Sequence, residues 1–429
     1  MTGFSLNYQI LNMQRQQISI RPSFLSTLLK QALSGCISFL LALGSIFSAG
    51  CTGPTLHSDL TPDPRILVRR WTLPTHTFFE AGDHGTEYSN PIVVENTLVF
   101  GNRSMGLVSL YPGLNQQRWV LPIRGGVISE LSVDKGFVYF GGGDGYFYSV
   151  SLENGRIQWR YEVRNPIVSK ATLFGGRIFF TTSDDTVYAL DAGTGKWLWH
   201  YRRRSAPLAT ILGASAPLVD ANEVLVGLSD GFLVSLSQEE GHLKWEKKLH
   251  QGSKFTDIDA HPVLENGILY IPSYDGALYA LKRQGGEVLW RFDAGGSKTV
   301  SLDDRRIFFP SSNGTVYALQ KSNGKMLWKF ELDHGTPTQL VVTDKYIIVG
   351  SSYQYLYVID RETGEGLYRF NAGYGSGFAG APAYDLATQK LYCLSGAGNL
   401  YAFSLRQPLK KKRTHGMTDP YSFKSGLFE

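Results

Sequence analysis

The sequence predicts an all-β fold, an eight-bladed β-propeller of four-stranded antiparallel blades. Three observations predict it. One unit of 38–46 residues recurs eight times along the chain. A tryptophan recurs at a fixed place in six of the units. The last unit lacks its final strand, and a spare strand stands at the front of the chain.

The repeat is plain when DGALYALKRQGGEVLWRF (275–292) is set beside NGTVYALQKSNGKMLWKF (313–330) and DDTVYALDAGTGKWLWHY (184–201). The copies are anchored at Met105, Gly145, Asp185, Gly231, Gly276, Gly314, Gln354 and Gly398, the second residue of a tight turn. Three residues on stands Tyr or Val, then a small residue in seven copies, then Leu, Val, Ile or Phe. Asp-Gly and Asn-Gly supply the positive φ of two-residue hairpins. The Tyr-small-Leu stretch puts Tyr and Leu on one strand face and the small residue on the other. Small residues there are expected to let a neighbouring sheet approach. Glycine follows ten residues after the anchor in six of the first seven copies. It turns the chain into an outer strand carrying Trp119, Trp159, Trp199, Trp245, Trp290 or Trp328, with Tyr368 in the seventh copy. Two more strands fit upstream of each anchor, which gives the period of a propeller blade.

The eighth copy has Lys412 where the tryptophan belongs, and the spare strand runs Ile66-Leu67-Val68-Arg69-Arg70-Trp71. The front strand is therefore expected to complete the last blade, which closes the ring and leaves no free sheet edge inside it. An open solenoid would not need a split repeat. The Gly-His and Trp-Asp spacing of WD repeats is missing.

Composition agrees. Of 429 residues 47 are Gly, aromatics are 13% and charged residues 18%. Such a chain is not disordered, and without a period of three it is not collagen-like. Cys36, Cys51 and Cys393 are too few for a disulfide scaffold or a cysteine-rich zinc site.

The first 50 residues hold Arg15, Arg21 and Lys30, no acid, and an apolar run from Cys36 to Ala49. That run is too short to span a bilayer and suits an export signal. Ser48-Ala49-Gly50-Cys51 resembles a bacterial lipobox, which makes Cys51 the expected acylated residue. A second such string, Leu33-Ser34-Gly35-Cys36, follows a segment without an apolar core. An uncleaved anchor and a plain export signal are the alternatives, and translation starts at Met1 or Met13. The expected organisation is a signal over 1–50, a lipidated tether over 51–70, the propeller over 71–404 and a basic tail over 405–429. The tail carries Lys410-Lys411-Lys412-Arg413. Its bland reading is a solvated end; lipid headgroups, peptidoglycan or a partner are the functional ones. Signal and tail hold the basic excess, so the chain's +5 leaves the ring nearly neutral and is no nucleic-acid footprint.

Several catalytic strings match by letter and fail by context. Gly227-Leu228-Ser229-Asp230-Gly231 spells a nucleophile elbow but sits in a hairpin turn rather than before a helix. Gly375-Ser376-Gly377-Phe378-Ala379-Gly380 spells a dinucleotide loop but leads into a strand. His76, Glu80 and His84 have helical ligand spacing within a glycine-containing loop. No catalytic residue, cofactor or metal is assigned, and the protein is expected not to be an enzyme. The string Ala189 to Trp199 resembles the tryptophan-docking motif of quinoprotein dehydrogenases, where it ties blades together. Those enzymes often carry a vicinal Cys-Cys pair, and none occurs here.

Residues 60–404 resemble the BamB family, lipoproteins of the bacterial outer-membrane β-barrel assembly machinery. Two stretches carry the resemblance beyond the blade repeat. Ile211-Leu212-Gly213-Ala214-Ser215-Ala216-Pro217 looks like the family's loop before a Ser-Ala-Pro strand. Phe255-Thr256-Asp257-Ile258-Asp259 looks like its Asp-Val-Asp loop one blade later. The resemblance implies that these loops dock on the POTRA domains of a BamA-like barrel protein. Asp257 and Asp259 would be the acidic part of that contact and Ile211 an apolar part. Leu212 departs from the family's usual Arg, and Ala209 from a larger apolar residue. The alternative role for the two carboxylates is to hold loop backbone.

The resemblance also implies a lipid-anchored protein at the cell outer membrane, facing the periplasm. Other assembly components and unfolded outer-membrane proteins would be its partners, with β-augmentation as one way to receive a client. A quinoprotein-like enzyme, or another ligand-binding or adhesion propeller of the cell envelope, is the alternative class.

Overall fold

The computed structural model describes residues 66–75, 87, 89–203, 214–249, 257–296 and 298–406. Among them thirty-two strands and no helix form eight four-stranded sheets, each antiparallel throughout. We number the blades by their spans: 92–121, 132–162, 172–202, 218–248, 263–292, 301–331, 341–371, and 383–405 completed by 67–74. The expected eight-bladed propeller is what the chain forms.

Blade 3 shows the logic. Its strands are Thr172–Phe174, Arg177–Thr181, Thr186–Asp191 and Trp197–Arg202, paired in that order. The short first strands line the axis: that of blade 3 approaches that of blade 4, and that of blade 1 that of blade 8. Second and third strands are almost wholly buried, and outer strands alternate exposed and covered residues. On the third strand Val187 and Ala189 face blade 4, while Tyr188 and Leu190 face blade 2. The period-two pattern thus feeds two separate interblade cores.

The small residue has a more specific task than the one expected of it. Its cross-strand partner is the outer-strand aromatic: Ser109 with Trp119, Ser149 with Trp159, Ala189 with Trp199, Ala280 with Trp290, Ala318 with Trp328. In each pair the register slips just beside it, so the residue before the aromatic bulges outward. Arg118, Gln158, Leu198, Leu289 and Leu327 are the bulged residues. A bulge twists an edge strand and blunts its pairing capacity, which protects the outer edges.

Each indole then crosses to the next blade. Trp159 lies on Gly195, where an added Cβ would come within 2.5 Å of the ring, and its Nε1 donates to Ala192 O at 2.9 Å. Trp119 sits likewise on Gly155 and Leu152 O, Trp199 on Gly241 and Gln238 O, Trp290 on Gly324 and Lys321 O. Gly195 has φ +71, so it is needed both for the turn and for the close approach. The seventh blade carries Tyr368 for a physical reason. A tryptophan there would need the turn between the third and outer strands of blade 8. That turn does not exist, because the outer strand of blade 8 comes from the other end of the chain.

The closing strand, Leu67–Pro74, pairs antiparallel with Asn399–Leu405, and Trp71 stands opposite Ala402. The pairing continues past both ends, with Arg406 N donating to Ile66 O at 2.8 Å and Thr75 N to Gly398 O at 2.9 Å. Glu87 bridges the same seam. Its N–H donates to Gly396 O of blade 8, and its carboxylate accepts from Asn102 Nδ2 and Arg103 N of blade 1. The residue is fully buried, and burial pushes its carboxyl up to about 7.

Two outcomes are expected. Gly176→Ala meets nothing within 4 Å at φ +77, so it should cost only the left-handed penalty of about 1–2 kcal/mol. Gly195→Ala adds a ring clash to the same penalty and should cost clearly more in urea unfolding. A carboxyl raised on folding contributes stability below its unfolded value of 4.5 that is lost as pH rises through about 7. Between pH 5 and 8 wild type should therefore lose about 3 kcal/mol that Glu87→Gln keeps.

Candidate docking site on blades 3 to 5

On one face of the ring the hairpin turns meet the interblade loops. Ile258 N donates to Leu228 O, Ser183 N to Pro166 O and Gly377 N to Tyr353 O. The two loops singled out from the sequence belong to this face. The structure brings their described parts together. Ser215 Oγ donates to Ala260 O at 2.9 Å, and His261 Nδ1 lies 2.7 Å from Ala216 O. A carbonyl only accepts, so Nδ1 carries the proton. Burial first and Lys170 second lower the imidazole to about 4, which keeps it neutral at that contact.

Asp257 and Asp259 flank this junction in sequence. Asp257 is almost wholly buried, and its carbonyl accepts from Tyr274 N at 3.0 Å. Between them Ile258 is fully buried and closes on Gly227, where any Cβ would meet its Cγ2 at 2.2 Å. Ile258 is thus a peg in the blade 4–5 core that fixes the loop, with Asp257 buried beside it. Asp259 is half-buried. Burial, then repulsion from Asp257 and Asp185, pushes its carboxyl up to about 8 against the pull of Lys298.

Sequence reasoning missed Asp185. It takes φ +61 in the blade 3 hairpin turn, a place where five of the eight copies have glycine. Its carboxylate reaches across to blade 4 and accepts from Ser229 N at 3.1 Å and from Ser229 Oγ. Burial raises its carboxyl, and Asp230 and Asp184 add to the shift. The signal was present as an aspartate paying a left-handed penalty that glycine avoids. Ser229 is thereby accounted for as a turn residue gripped by the neighbouring blade. Asp230 pairs with Arg203 at 2.8 Å, and that guanidinium also pairs with Glu246 and lies 3.6 Å over the Phe232 ring.

The result is an acidic rim spanning blades 3 to 5, with Arg203 and Lys298 as its cations. Like charges this close resist ionising together, so an incoming cation would be met by carboxylates poised to lose a proton. Among the described residues no group of three His, Cys, Asp or Glu could hold a metal ion. Ile211, Leu212 and Ala209 lie outside the described residues, as do Phe255 and Thr256, Cys51, and the His76, Glu80 and His84 set. The GxGxxG string is an interblade loop that bridges Phe378 to Ser395 and enters the strand Ala383–Asp385.

The family described as outer membrane protein assembly factor BamB matches residues 104–330 and 312–408, more than two thirds of the chain. The outer membrane protein assembly factor BamB of Yersinia pestis is 28% identical over 205 residues, which are 46% of this chain and 51% of that protein. The chain thus spans about half the length of the curated relatives it matches. The crystal structure of BamB from Moraxella catarrhalis superposes with a TM-score of 0.66 at 20% identity, over 79% of this chain and all of that one. Quinohemoprotein alcohol dehydrogenase from Comamonas testosteroni gives 0.62 at 14% identity, over 82% of this chain and 79% of that one. At these identities the two structures speak for the fold alone.

The coupling within the rim is testable by carbon-detected carboxyl titration. Asp259 should titrate near 8 in wild type, and Asp185→Asn should bring it down. An Asp259 midpoint unmoved by Asp185→Asn would break the link between the two blades.

Proposed function

The chain belongs to the family of outer membrane protein assembly factor BamB, and on that premise we propose that it is a non-enzymatic scaffold in outer membrane protein assembly. In this reading the ring docks through its blade 4 and blade 5 loops on the POTRA domains of a BamA-like barrel protein. Asp259 offers its carboxylate to cations of that partner, buried Asp257 backs it from within the loop, and Ile211 offers an apolar contact. Asp185 joins them by keeping the rim electrically strained until a cation arrives. A lipid on Cys51 holds the ring at the outer membrane, facing the periplasm, with 51–70 as the tether. That length reaches at most about 70 Å when extended. Unfolded outer-membrane proteins are the clients, and no cofactor enters the scheme.

The single observation that carries this reading is the joining of 214–217 to 257–261 above a buried isoleucine peg. It gives two separate sequence stretches one rigid base and one acidic edge. Rigid scaffolds with loops gathered on a face suit binding more than chemistry. Clients fit less simply on the outer strands, since the bulges leave only the far half of each strand regular enough for β-augmentation.

After mild detergent extraction, wild type should bring down a barrel protein with POTRA domains. The double variant Asp257→Lys with Asp259→Lys should lose it at least about tenfold while keeping the far-UV signature of the ring. Undiminished co-purification of the partner with that variant would remove the docking assignment.

A further inference from the structure

On the face opposite the acidic rim, each seam between blades forms a wedge. One wall is the second strand of a blade; the other is the residue that follows the third strand of the next blade. Four successive wedges are plugged by a cation. Between blades 3 and 4, Arg177 donates to Gln238 O at 2.9 Å and pairs with Glu239. Between 4 and 5, Arg283 pairs with Glu223 at 2.7 Å and Asp220 at 2.5 Å. Between 5 and 6, Lys321 pairs with Glu265. Between 6 and 7, Arg306 reaches Arg361 O and Glu362, and Arg361 returns to Asp303 at 2.7 Å.

The wedge between blades 2 and 3 has no such plug. Phe137 stands at the register position of Arg177 and Arg306, opposite the last residue of its third strand. Ala192 stands where the following blades have Gln238, Arg283, Lys321 and Arg361. In place of a cation there is a cavity of about 530 Å³, within the range of ligand-sized pockets. Its lining includes Phe137 and Leu173, which both belong to the blade 2–3 core, together with Asp134 and Ala192. Asp134 holds the position that Glu265 holds in blade 5, the third residue of a short first strand. Glu265 has its lysine; the Asp134 carboxylate makes no hydrogen bond or ion pair among the described residues. Ala192 O accepts Trp159 Nε1, and the equivalent Gln238 O accepts both Trp199 Nε1 and the guanidinium of Arg177. A second acceptor direction on Ala192 O is therefore the one its counterpart uses for an arginine. The two cations that line the cavity do not fill it. Arg177 is turned away to Gln238 O and Glu239, and Lys135 is exposed at the mouth.

We propose that the cavity between blades 2 and 3 receives the side chain of an arginine from a partner polypeptide. The guanidinium takes the carboxylate of Asp134 and the carbonyl of Ala192, and the alkyl stem lies against Phe137 and Leu173. Charge complementarity selects a cation. Four of the five plugging residues in the sister seams are arginines, and arginine alone supplies a planar fork for a carbonyl and a carboxylate together. The site lies on the face away from Asp257 and Asp259, so a partner there does not compete with the proposed docking on the other face.

The test uses the full chain and a blocked Gly-Arg-Gly peptide, with the citrulline peptide as its neutral isostere, followed by calorimetry or NMR shifts. The arginine peptide should bind, and the citrulline peptide about tenfold more weakly or not at all. Asp134→Asn should weaken the arginine peptide to a similar degree. Ala192→Arg, which restores the plug of blades 5 and 7, should abolish binding and raise the melting temperature. Equal binding of the two peptides overturns the proposal, and so does wild-type affinity in Ala192→Arg. Stronger competition by spermidine than by the peptide would assign the cavity to a free amine and overturn it as well. Asp134→Asn alters a surface-accessible group, so it remains informative should the larger substitution fail to fold.

Discussion

The ring rests on one repeated contact, an indole of one blade lying flat on a glycine of the next. Everything else in the repeat serves it. The small residue of the third strand makes room beneath the ring, the bulge lifts the preceding residue out of the way, and the left-handed turn brings a bare Cα into reach. In four seams the indole N–H finds the carbonyl three residues before that glycine, which leaves few polar groups orphaned there. One seam departs from this arrangement. Trp328 Nε1 is buried without a partner, while Arg361 O takes the guanidinium of Arg306 instead. Each contact links nearest neighbours only, so the fold is a chain of equal junctions bent into a circle.

The fold was legible because that contact demands the same residues at the same spacing six times over. Trp, Gly and the Tyr-small-Leu run are all visible as a period, and the missing eighth tryptophan pointed to closure. What the period could not convey was the reason for the small residue, since cross-strand register is not written in a single strand. The site was legible only in part. Asp257 and Asp259 could be named from a resemblance, and Ile258 between them shows why they stand where they do. Asp185, Ser229 and His261 escaped because each acts across a blade boundary, forty or more residues from its partner. Asp185 did leave a trace, as the one aspartate among the anchors of the repeat. Ile211 and Cys51 belong to segments outside the described residues, so the apolar and lipid parts of the reading rest on sequence.

The two faces of the ring use charge in opposite ways. On one, carboxylates from three blades are crowded until burial and mutual repulsion hold two of them above their ordinary range. On the other, carboxylates and cations are paired across four seams, and the pairing lowers Asp303 well below the usual carboxylate range despite its burial. Matched pairs at a half-buried seam add specificity of neighbour to the nonspecific apolar packing. Unmatched ones keep their interaction energy in reserve for an external partner. Identical backbone units thus become distinguishable surfaces through a handful of side chains at the strand ends.

Closure by the first strand has a consequence for the order of assembly. Leu67–Pro74 is the first described part of the ring to be synthesised, yet its sheet partner, Asn399–Leu405, is the last. Seven blades can form by local pairing as they emerge, but the strand that ends the process must wait some 330 residues for its mate. During that wait both it and the edge of blade 8 are open to the wrong partner. Trp71 and the buried Glu87 lie at this last joint, so the ring either closes there or stays an arc with one adhesive end.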